Sequence, residues 1–106
     1  MLIRQARLCM VALLATAVAV PVFAQSGEST FKAKCAMCHG ADGLATSSMA
    51  KMMKIPSVKS PDFRKLTESE MVAATTDGKN KMPAYKGKLS EAQIREVVAY
   101  MRSLEK

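Results

Sequence analysis

The feature that most constrains this chain of 106 residues is a run of two thiols and an imidazole, Cys35-Ala36-Met37-Cys38-His39. Side chains at positions i, i+3 and i+4 of a helix share one face, so Cys35, Cys38 and His39 should project in similar directions. The two sulfurs can then bond the two vinyl edges of one porphyrin, and the imidazole can reach its iron as a proximal ligand. C-x-x-C-H is the sequence signature of covalent c-type haem attachment. We therefore predict one haem c, bound covalently through Cys35 and Cys38.

Two other chemistries use a pair of cysteines with this spacing. A thioredoxin-like redox pair is expected beside a βαβ pattern, which this sequence does not show. A zinc site needs further cysteine or histidine ligands, and His39 is the only histidine in the chain. The sequence therefore favours haem over both alternatives.

The single histidine also limits what can bind the second axial position of the iron. Two imidazoles cannot come from this chain, which leaves Met, Lys, Tyr, water, a terminal amine or no ligand. Met82 lies in the turn-like stretch Lys81-Met82-Pro83-Ala84-Tyr85, where proline fixes the backbone directly after the methionine. A thioether is also the ligand that raises the haem potential in cytochromes c. Met82 is therefore a candidate ligand; the alternative role, filling gaps in a core, suits Met71 and Met101 better.

The first 24 residues have the composition of an export signal. Arg4 and Arg7 form a basic n-region, residues 8–20 an apolar h-region, and Val22-Phe23-Ala24 a small-residue cleavage site. The h-region is too short for a comfortable membrane span, although an uncleaved N-terminal anchor is the alternative. We predict a signal peptide at residues 1–24, a single domain at residues 25–106 and a periplasmic location.

The predicted mature domain is small for a self-sufficient core. Its aromatic residues are only Phe31, Phe63, Tyr85 and Tyr100. A porphyrin would add apolar volume to the core and covalent links to the chain. We therefore predict that the chain without haem is largely unfolded, as in domains whose folding is linked to a structural metal.

The charge of the chain is basic. Lysine and arginine number 16 against 9 acidic residues, and loss of Arg4 and Arg7 leaves an excess of five positive charges. Such a surface suits docking to an acidic redox protein or to an anionic membrane surface, and also serves solubility alone. Nucleic acid is not an expected partner, because the lysines are scattered through loops without interleaved aromatic residues.

Apolar periodicity predicts helices and no strand, and therefore an all-α domain. A first helix should run from Ser26, as its N-cap, to Gly40 and lead into the haem motif. A second should run from Leu66 to Gly78, because Thr67 and Glu70 form a capping box and Gly78 suits the residue after the helix.

The last predicted helix has the strongest pattern. It begins at a capping box of Ser90 and Gln93. Tyr100 lies beside its apolar stripe and should meet Phe31 where the terminal helices cross. The stripe repeats at i, i+3, i+4, i+7 and i+10, in Ile94, Val97, Val98, Met101 and Leu104.

Two stretches between these helices carry residues that bear on the site. From Thr46 to Ile55, Met49, Met52 and Met53 have helical spacing, which predicts the apolar face of a short helix packed on a haem edge. A copper-binding methionine array is the alternative.

The stretch from Ile55 to Phe63 holds Pro56 and Pro61 and is predicted to be an extended loop. Such a loop could offer a carbonyl to the second ring nitrogen of His39. Pro61 is the first choice for this role and Pro56 the second, and both prolines could instead simply mark turns.

With these segments placed, the whole mature chain resembles a small bacterial class I c-type cytochrome. The stretch from Cys35 to Gly43 is similar to that family's attachment segment with its trailing glycines, and Pro61-Asp62-Phe63 is similar to its Pro-polar-apolar loop. Met82-Pro83-Ala84-Tyr85, followed by Gly87, Leu89 and Ser90, resembles its axial-methionine loop. The stretch from Thr46 to Lys59 departs from the glycine-rich loop common there.

The resemblance implies a cytochrome c fold, with helices wrapped around one covalently bound haem. It implies His39 and Met82 as iron ligands and Pro61 as the carbonyl partner of His39. The implied function is one-electron transfer outside the cytoplasm by a carrier that is not an enzyme, and the single small domain favours a monomer. Two alternatives are a haem subunit of a membrane-associated oxidoreductase and an open-site haem enzyme or sensor.

Overall fold

The computed structural model describes residues 22–106, so the predicted signal peptide, apart from its last three residues, lies outside them. The helices in this range are α1 (Val22–Lys34), α2 (Ala36–His39), α3 (Ser48–Met52), α4 (Pro61–Arg64), α5 (Glu68–Asp77) and α6 (Glu91–Ser103). No strand forms between residues 22 and 106; two isolated bridges, Lys79 with Met82 and Lys86 with Leu89, are the extent of β pairing there. The predicted all-α fold is confirmed.

The terminal helices α1 and α6 cross in close contact. The rings of Phe31 and Tyr100 lie 5.3 Å apart between centroids at 55°, as the sequence predicted. Gly27 lies at the crossing, where a β-carbon would be 2.8 Å from the carbonyl carbon of Glu96 and 3.1 Å from Cβ of Tyr100. Only a residue without a side chain allows this approach of the two backbones.

The apolar stripe of α6 forms much of the core, as predicted. Ile94, Val97, Val98 and Met101 are buried, and Leu104 packs beside them as the C-cap. The largest buried cluster joins this stripe to residues from four other parts of the chain. Its members are Phe31, Cys35, Val58, Phe63, Met71, Val97, Val98 and Met101. The first cysteine of the haem motif is therefore a core residue.

The prediction of one helix from Ser26 to Gly40 is wrong in two respects. The helix already includes Val22, so Ser26 lies inside α1 rather than at its cap. It also breaks at Cys35, whose φ of −116° separates α1 from α2. The break occurs because the amide of Cys38 donates to the carbonyl of Cys35, at 3.2 Å, in a tighter turn than an α-helix makes. Gly40 ends α2 with φ of +81°, as its sequence position predicted.

The prediction of an extended loop from Ile55 to Phe63 is wrong at its end. Pro61 is the first residue of α4, and the Ser60 hydroxyl accepts the amide N–H of Phe63 at 3.3 Å as the N-cap. Proline fits this position because its missing N–H would have had no helical partner there. The short helix turns Phe63 into the core, where it is buried.

Both predicted capping boxes are present. In α5, Thr67 Oγ1 accepts from the Glu70 amide at 3.1 Å and Glu70 Oε1 accepts from the Thr67 amide at 3.2 Å. The bond donated by the Thr67 amide lowers the pKa of Glu70, because it favours the carboxylate form, and the Thr67 side chain adds to the shift. Gly78 ends the helix with φ of +80°. The boundaries of α5 are thus fixed by local chemistry.

The Ser90→Ala substitution tests how much such a cap stabilises the fold. Ser90 Oγ accepts from the Gln93 amide at 3.1 Å, so its loss should lower the free energy of unfolding by about 1 kcal/mol. Urea denaturation followed by far-UV circular dichroism measures the change. Ser69→Ala, the same substitution at an exposed position within α5, is the control and should change stability by less than about 0.5 kcal/mol. Equal effects in both variants would contradict the assigned role of the cap.

No helix within residues 22–106 combines the length and apolar character that crossing a membrane requires.

Candidate haem site

The residues of the C-x-x-C-H motif lie at and just after the end of α1. Cys35 occupies the break and is 8% exposed, whereas Cys38 and His39, in α2, are half-buried. The Cys35 carbonyl accepts from the amides of both Cys38 (3.2 Å) and His39 (3.0 Å), which holds the three residues in one compact turn. The His39 ring lies 6.5 Å from the Phe31 ring between centroids. The structure thus places the predicted attachment residues together against the core.

Burial governs the ionisation of two motif residues. It raises the pKa of the Cys35 thiol to about 11, with a smaller contribution from the neighbouring Cys38 thiolate. It also lowers the pKa of the His39 imidazole. The neutral imidazole is the form that binds a metal, so this surrounding favours ligation by His39.

A turn directly after His39 in the chain fixes the start of the loop that leads to α3. The His39 carbonyl accepts from the Ala45 amide at 2.9 Å, and the Asp42 carboxylate accepts from the Leu44 amide at 2.9 Å. Gly43, with φ of +74°, lies so close to Val58 that a β-carbon would be 2.9 Å from its Cγ1. Asp42 and Gly43 therefore form a turn, which packs against the proline-bearing segment at Val58.

The second ring nitrogen of His39 tests whether this site suits a haem ligand. Its Nδ1 is buried and has no hydrogen-bond partner in the described part of the chain. A ligating histidine generally donates this second nitrogen to a carbonyl or carboxylate, which fixes the ring. Pro61 was predicted to supply that carbonyl. Its oxygen accepts from the Lys65 amide at 3.1 Å in the first turn of α4, so the bond to His39 stays a prediction, as does the same role for Pro56.

Met82 lies in the connection between α5 and α6 and is half-buried. Its amide donates to the Lys79 carbonyl at 2.9 Å, and its carbonyl accepts from the Lys79 amide at 3.1 Å. Gly78 lies directly beneath, where a β-carbon would be 2.8 Å from the Met82 oxygen and 3.0 Å from the Ala84 nitrogen. The backbone around Met82 is therefore held against the end of α5. We refer to residues 79–89 as the Met82 loop.

Tyr85 is a residue of this site that sequence reasoning did not single out. Its amide donates to the Thr75 carbonyl at 3.0 Å, and its hydroxyl donates to the Lys34 carbonyl at 3.1 Å. Lys34 directly precedes Cys35 in the chain. The Met82 loop is therefore joined by a side chain to the segment that carries the motif. The sequence signal was an aromatic residue three positions after the methionine.

The methionines of α3 do not form a buried face. Met49 and Met52 are 39% and 76% exposed, and Ala50 is the buried residue of this helix. The short helix itself was predicted correctly, and the small Ala50 is the residue that packs against the rest of the protein. Packing of the methionines on a haem edge stays a prediction. Met37, between the two cysteines, is 81% exposed.

Two thiols, a neutral imidazole and an all-α framework together define a covalent haem-binding domain, and comparisons with known proteins agree. Residues 23–101 match the family model described as cytochrome C oxidase, cbb3-type, subunit III. Cytochrome c6 of Leptolyngbya boryana is 38% identical over 78 residues, which cover 74% of this chain and 88% of that protein. Cytochrome c6 of Diacronema lutheri is 35% identical over 78 residues, covering 74% of this chain and 92% of that protein.

A solved structure shows the same fold. The KustC0563 c-type cytochrome superposes with a TM-score of 0.69 at 20% identity, covering 76% of this chain and 98% of that one. The chain therefore belongs to the small monohaem class I c-type cytochromes, electron-transport proteins with one covalently bound haem. Cys35 and Cys38 are the residues of this chain that fit its two thioether bonds.

Proposed function

We propose that this protein is a monomeric periplasmic one-electron carrier, not an enzyme, with His39 and Met82 as the axial ligands of its haem iron. The observation that supports the proposal most directly is the attachment of the Met82 loop to the residue before the haem motif, through Tyr85 and Lys34 at 3.1 Å. The bound haem supplies the exchange of one electron between ferrous and ferric iron. The pattern of basic n-region, apolar run and cleavage site supports export.

The residues of the chain have separate tasks in this function. Cys35 and Cys38 fix the porphyrin to the polypeptide, and His39 offers a neutral nitrogen because burial lowers its pKa. Met82 offers a thioether, which favours the ferrous state and raises the potential relative to harder ligands. Neither ligand needs to leave during electron transfer, so no substrate has to enter the site.

The Met82→Ala variant tests this ligation. The wild-type protein should show a low-spin ferric spectrum with a weak sulfur-to-iron absorption band, and the variant should lose that band and bind cyanide or carbon monoxide readily. Its potential should fall by about 0.1 V or more, within the span of roughly 0.8 V that axial ligation controls. Optical spectra of both oxidation states and a redox titration provide the measurements.

Met52→Ala is the matched control for this experiment. Met52 lies in α3 and is not a proposed ligand, so the same substitution there should leave the sulfur-to-iron band unchanged and shift the potential far less. A high-spin wild-type spectrum that shifts with added carbon monoxide or cyanide would contradict the ligation and favour an open-site haem enzyme or sensor.

A second candidate function is a haem subunit of a membrane-associated oxidoreductase. The observation in its favour is the match of residues 23–101 to a family described as an oxidase subunit. Intact-mass analysis of the exported protein distinguishes a free carrier from a membrane-associated subunit. A mass lacking residues 1–24 supports the free carrier, whereas a full-length chain held at the membrane supports the subunit.

The excess of positive charge supports acidic redox proteins as partners. We expect the second-order rate of reduction by an acidic redox protein to fall at least about tenfold between low salt and 0.5 M salt, because salt screens the attraction that steers encounter. Stopped-flow absorbance measures the rate. Reduction by an uncharged small molecule is the control and should depend little on salt. A salt-independent rate with the acidic protein would count against lysine-guided docking.

A further inference from the structure

The hydroxyl of Tyr85 satisfies a carbonyl that the helix break leaves without a helical partner. In an uninterrupted helix the amide of Cys38 would donate to the carbonyl of Lys34, four residues earlier. Here that amide donates to the carbonyl of Cys35 instead, at 3.2 Å. The Tyr85 hydroxyl fills the position and donates to the Lys34 oxygen at 3.1 Å, across 51 residues of sequence. The break in the haem segment and the placement of Tyr85 are thus parts of one arrangement.

The surroundings of Tyr85 keep its hydroxyl a donor. A phenol carries its proton at neutral pH, and partial burial raises the pKa of Tyr85 further. The Nζ of Lys88 lies over the ring, 5.9 Å from its centroid, in a cation–π contact. The Tyr85 amide is bound to the Thr75 carbonyl at 3.0 Å, so the backbone at this residue is fixed to α5. Tyr85 therefore bridges the ends of α5 and α1.

The Met82 loop is held at two points on either side of Met82. At Gly78 the chain has φ of +80° and the backbones of Met82 and Ala84 pack against it. At Tyr85 the chain is held by the amide bond to α5 and by the hydroxyl bond to α1. Among the hydrogen bonds of residues 22–106, only the hydroxyl bond joins the loop to the segment that precedes the haem motif. Without it, those hydrogen bonds would join the loop to α5 alone.

We infer that Tyr85 is a positioning residue for the axial methionine: its hydroxyl, bound to the Lys34 carbonyl, limits how often the Met82 loop opens and lets Met82 leave the iron. The inference rests on the proposed ligation by Met82. Opening breaks this hydrogen bond, and a bond of this kind contributes about a factor of five to an equilibrium constant. Without it the open state should be populated about fivefold to tenfold more.

The Tyr85→Phe variant of the holoprotein tests the inference. Phenylalanine keeps the ring, its packing and its contact with Lys88, and removes only the hydroxyl. In the ferric protein at saturating cyanide, the rate of cyanide binding is set by the departure of Met82. We expect that rate to rise about fivefold to tenfold, while the sulfur-to-iron band of the resting protein is retained because the closed state still predominates.

Two control variants separate the hydroxyl bond from general effects. Tyr100→Phe makes the same chemical change where the ring packs on Phe31 at the helix crossing, away from the Met82 loop, and should leave the cyanide rate unchanged. Ser90→Ala removes the N-cap of α6 and lowers global stability, and it should also leave the rate unchanged. An increase in the Ser90 variant equal to that of Tyr85→Phe would overturn the inference, because global destabilisation would then explain both.

The remaining outcomes separate the role of Tyr85 from the proposed ligation of the iron by Met82. If the wild type and Tyr85→Phe bind cyanide at the same slow rate, the role of Tyr85 is overturned and Met82 remains the ligand. Alternatively, the wild type binds cyanide as fast as Met82→Ala does, with no sulfur-to-iron band in either protein. That result would overturn ligation by Met82, and with it the inference. A cyanide-binding rate that is faster in Tyr85→Phe than in the wild type and in both control variants supports both.

Discussion

The Cys35→Ala, Cys38→Ala double variant is expected to lose cooperative folding altogether. A core of the size found in a domain under about 80 residues rarely supplies more than about 3–5 kcal/mol. The described core centres on one cluster of eight buried residues that includes Cys35. Removing both thiols removes the covalent attachment of the porphyrin, and with it the apolar surface that the haem adds to the core. Far-UV circular dichroism during thermal melting should show a largely unfolded chain.

Val98→Ala is the control for the loss of buried atoms alone. Val98 is fully buried in α6, and its truncation should lower the free energy of unfolding by about 1–3 kcal/mol while the haem stays attached and the melt stays cooperative. The prediction fails if the double variant gives a native-like spectrum and a cooperative transition.

The Gly27→Ala substitution should have the second largest effect on stability. Alanine at an ordinary helix position is more stable than glycine by about 1 kcal/mol. At Gly27 the added carbon would overlap the main-chain carbonyl of Glu96, so α1 and α6 would have to move apart. We expect the free energy of unfolding to fall by about 3 kcal/mol, near the upper end of overpacking effects. Such a loss lowers the melting temperature by roughly 10–20 °C.

Urea denaturation of the holoprotein measures this change, and Ser29→Ala is its matched control. Ser29 lies in the same helix at an exposed position, so alanine there should be neutral or slightly stabilising. A Gly27→Ala protein at least as stable as the wild type would show that the two helices do not approach as closely as the structure indicates.

The sequence allowed accurate prediction of features that depend on near neighbours. The capping boxes at Thr67 and Ser90 are formed by residues three positions apart, so their pattern is visible in the sequence and recurs in the structure. The apolar stripe of α6 is likewise a local periodicity. The ring contact of Phe31 with Tyr100 joins distant residues, but it follows once both terminal helices and their apolar faces are known. The haem-attachment residues were recognisable for the same local reason.

One error arose where distant groups compete for the same partner. The helix break at Cys35 depends on which amide reaches which carbonyl, and the carbonyl of Lys34 is taken by Tyr85 from another part of the chain. No pattern within the first helix contains that information. The helix at Pro61 was missed for a different reason: proline interrupts a helix in its interior but is well suited to its first turn, and Ser60 was not recognised as the cap.

The crossing of α1 over α6 also has a consequence for the order in which the molecule is made. The largest buried cluster joins residues from opposite ends of the described chain: Phe31 and Cys35 from one end, and Val97, Val98 and Met101 from the other. A chain synthesised from its N-terminus presents both thiols before the helix that closes the core exists. Bringing such distant segments together costs loop-closure entropy, which the contacts between the terminal helices must offset. Cys35 is therefore reachable for haem attachment before α6 packs over it, whereas in the folded domain it is buried.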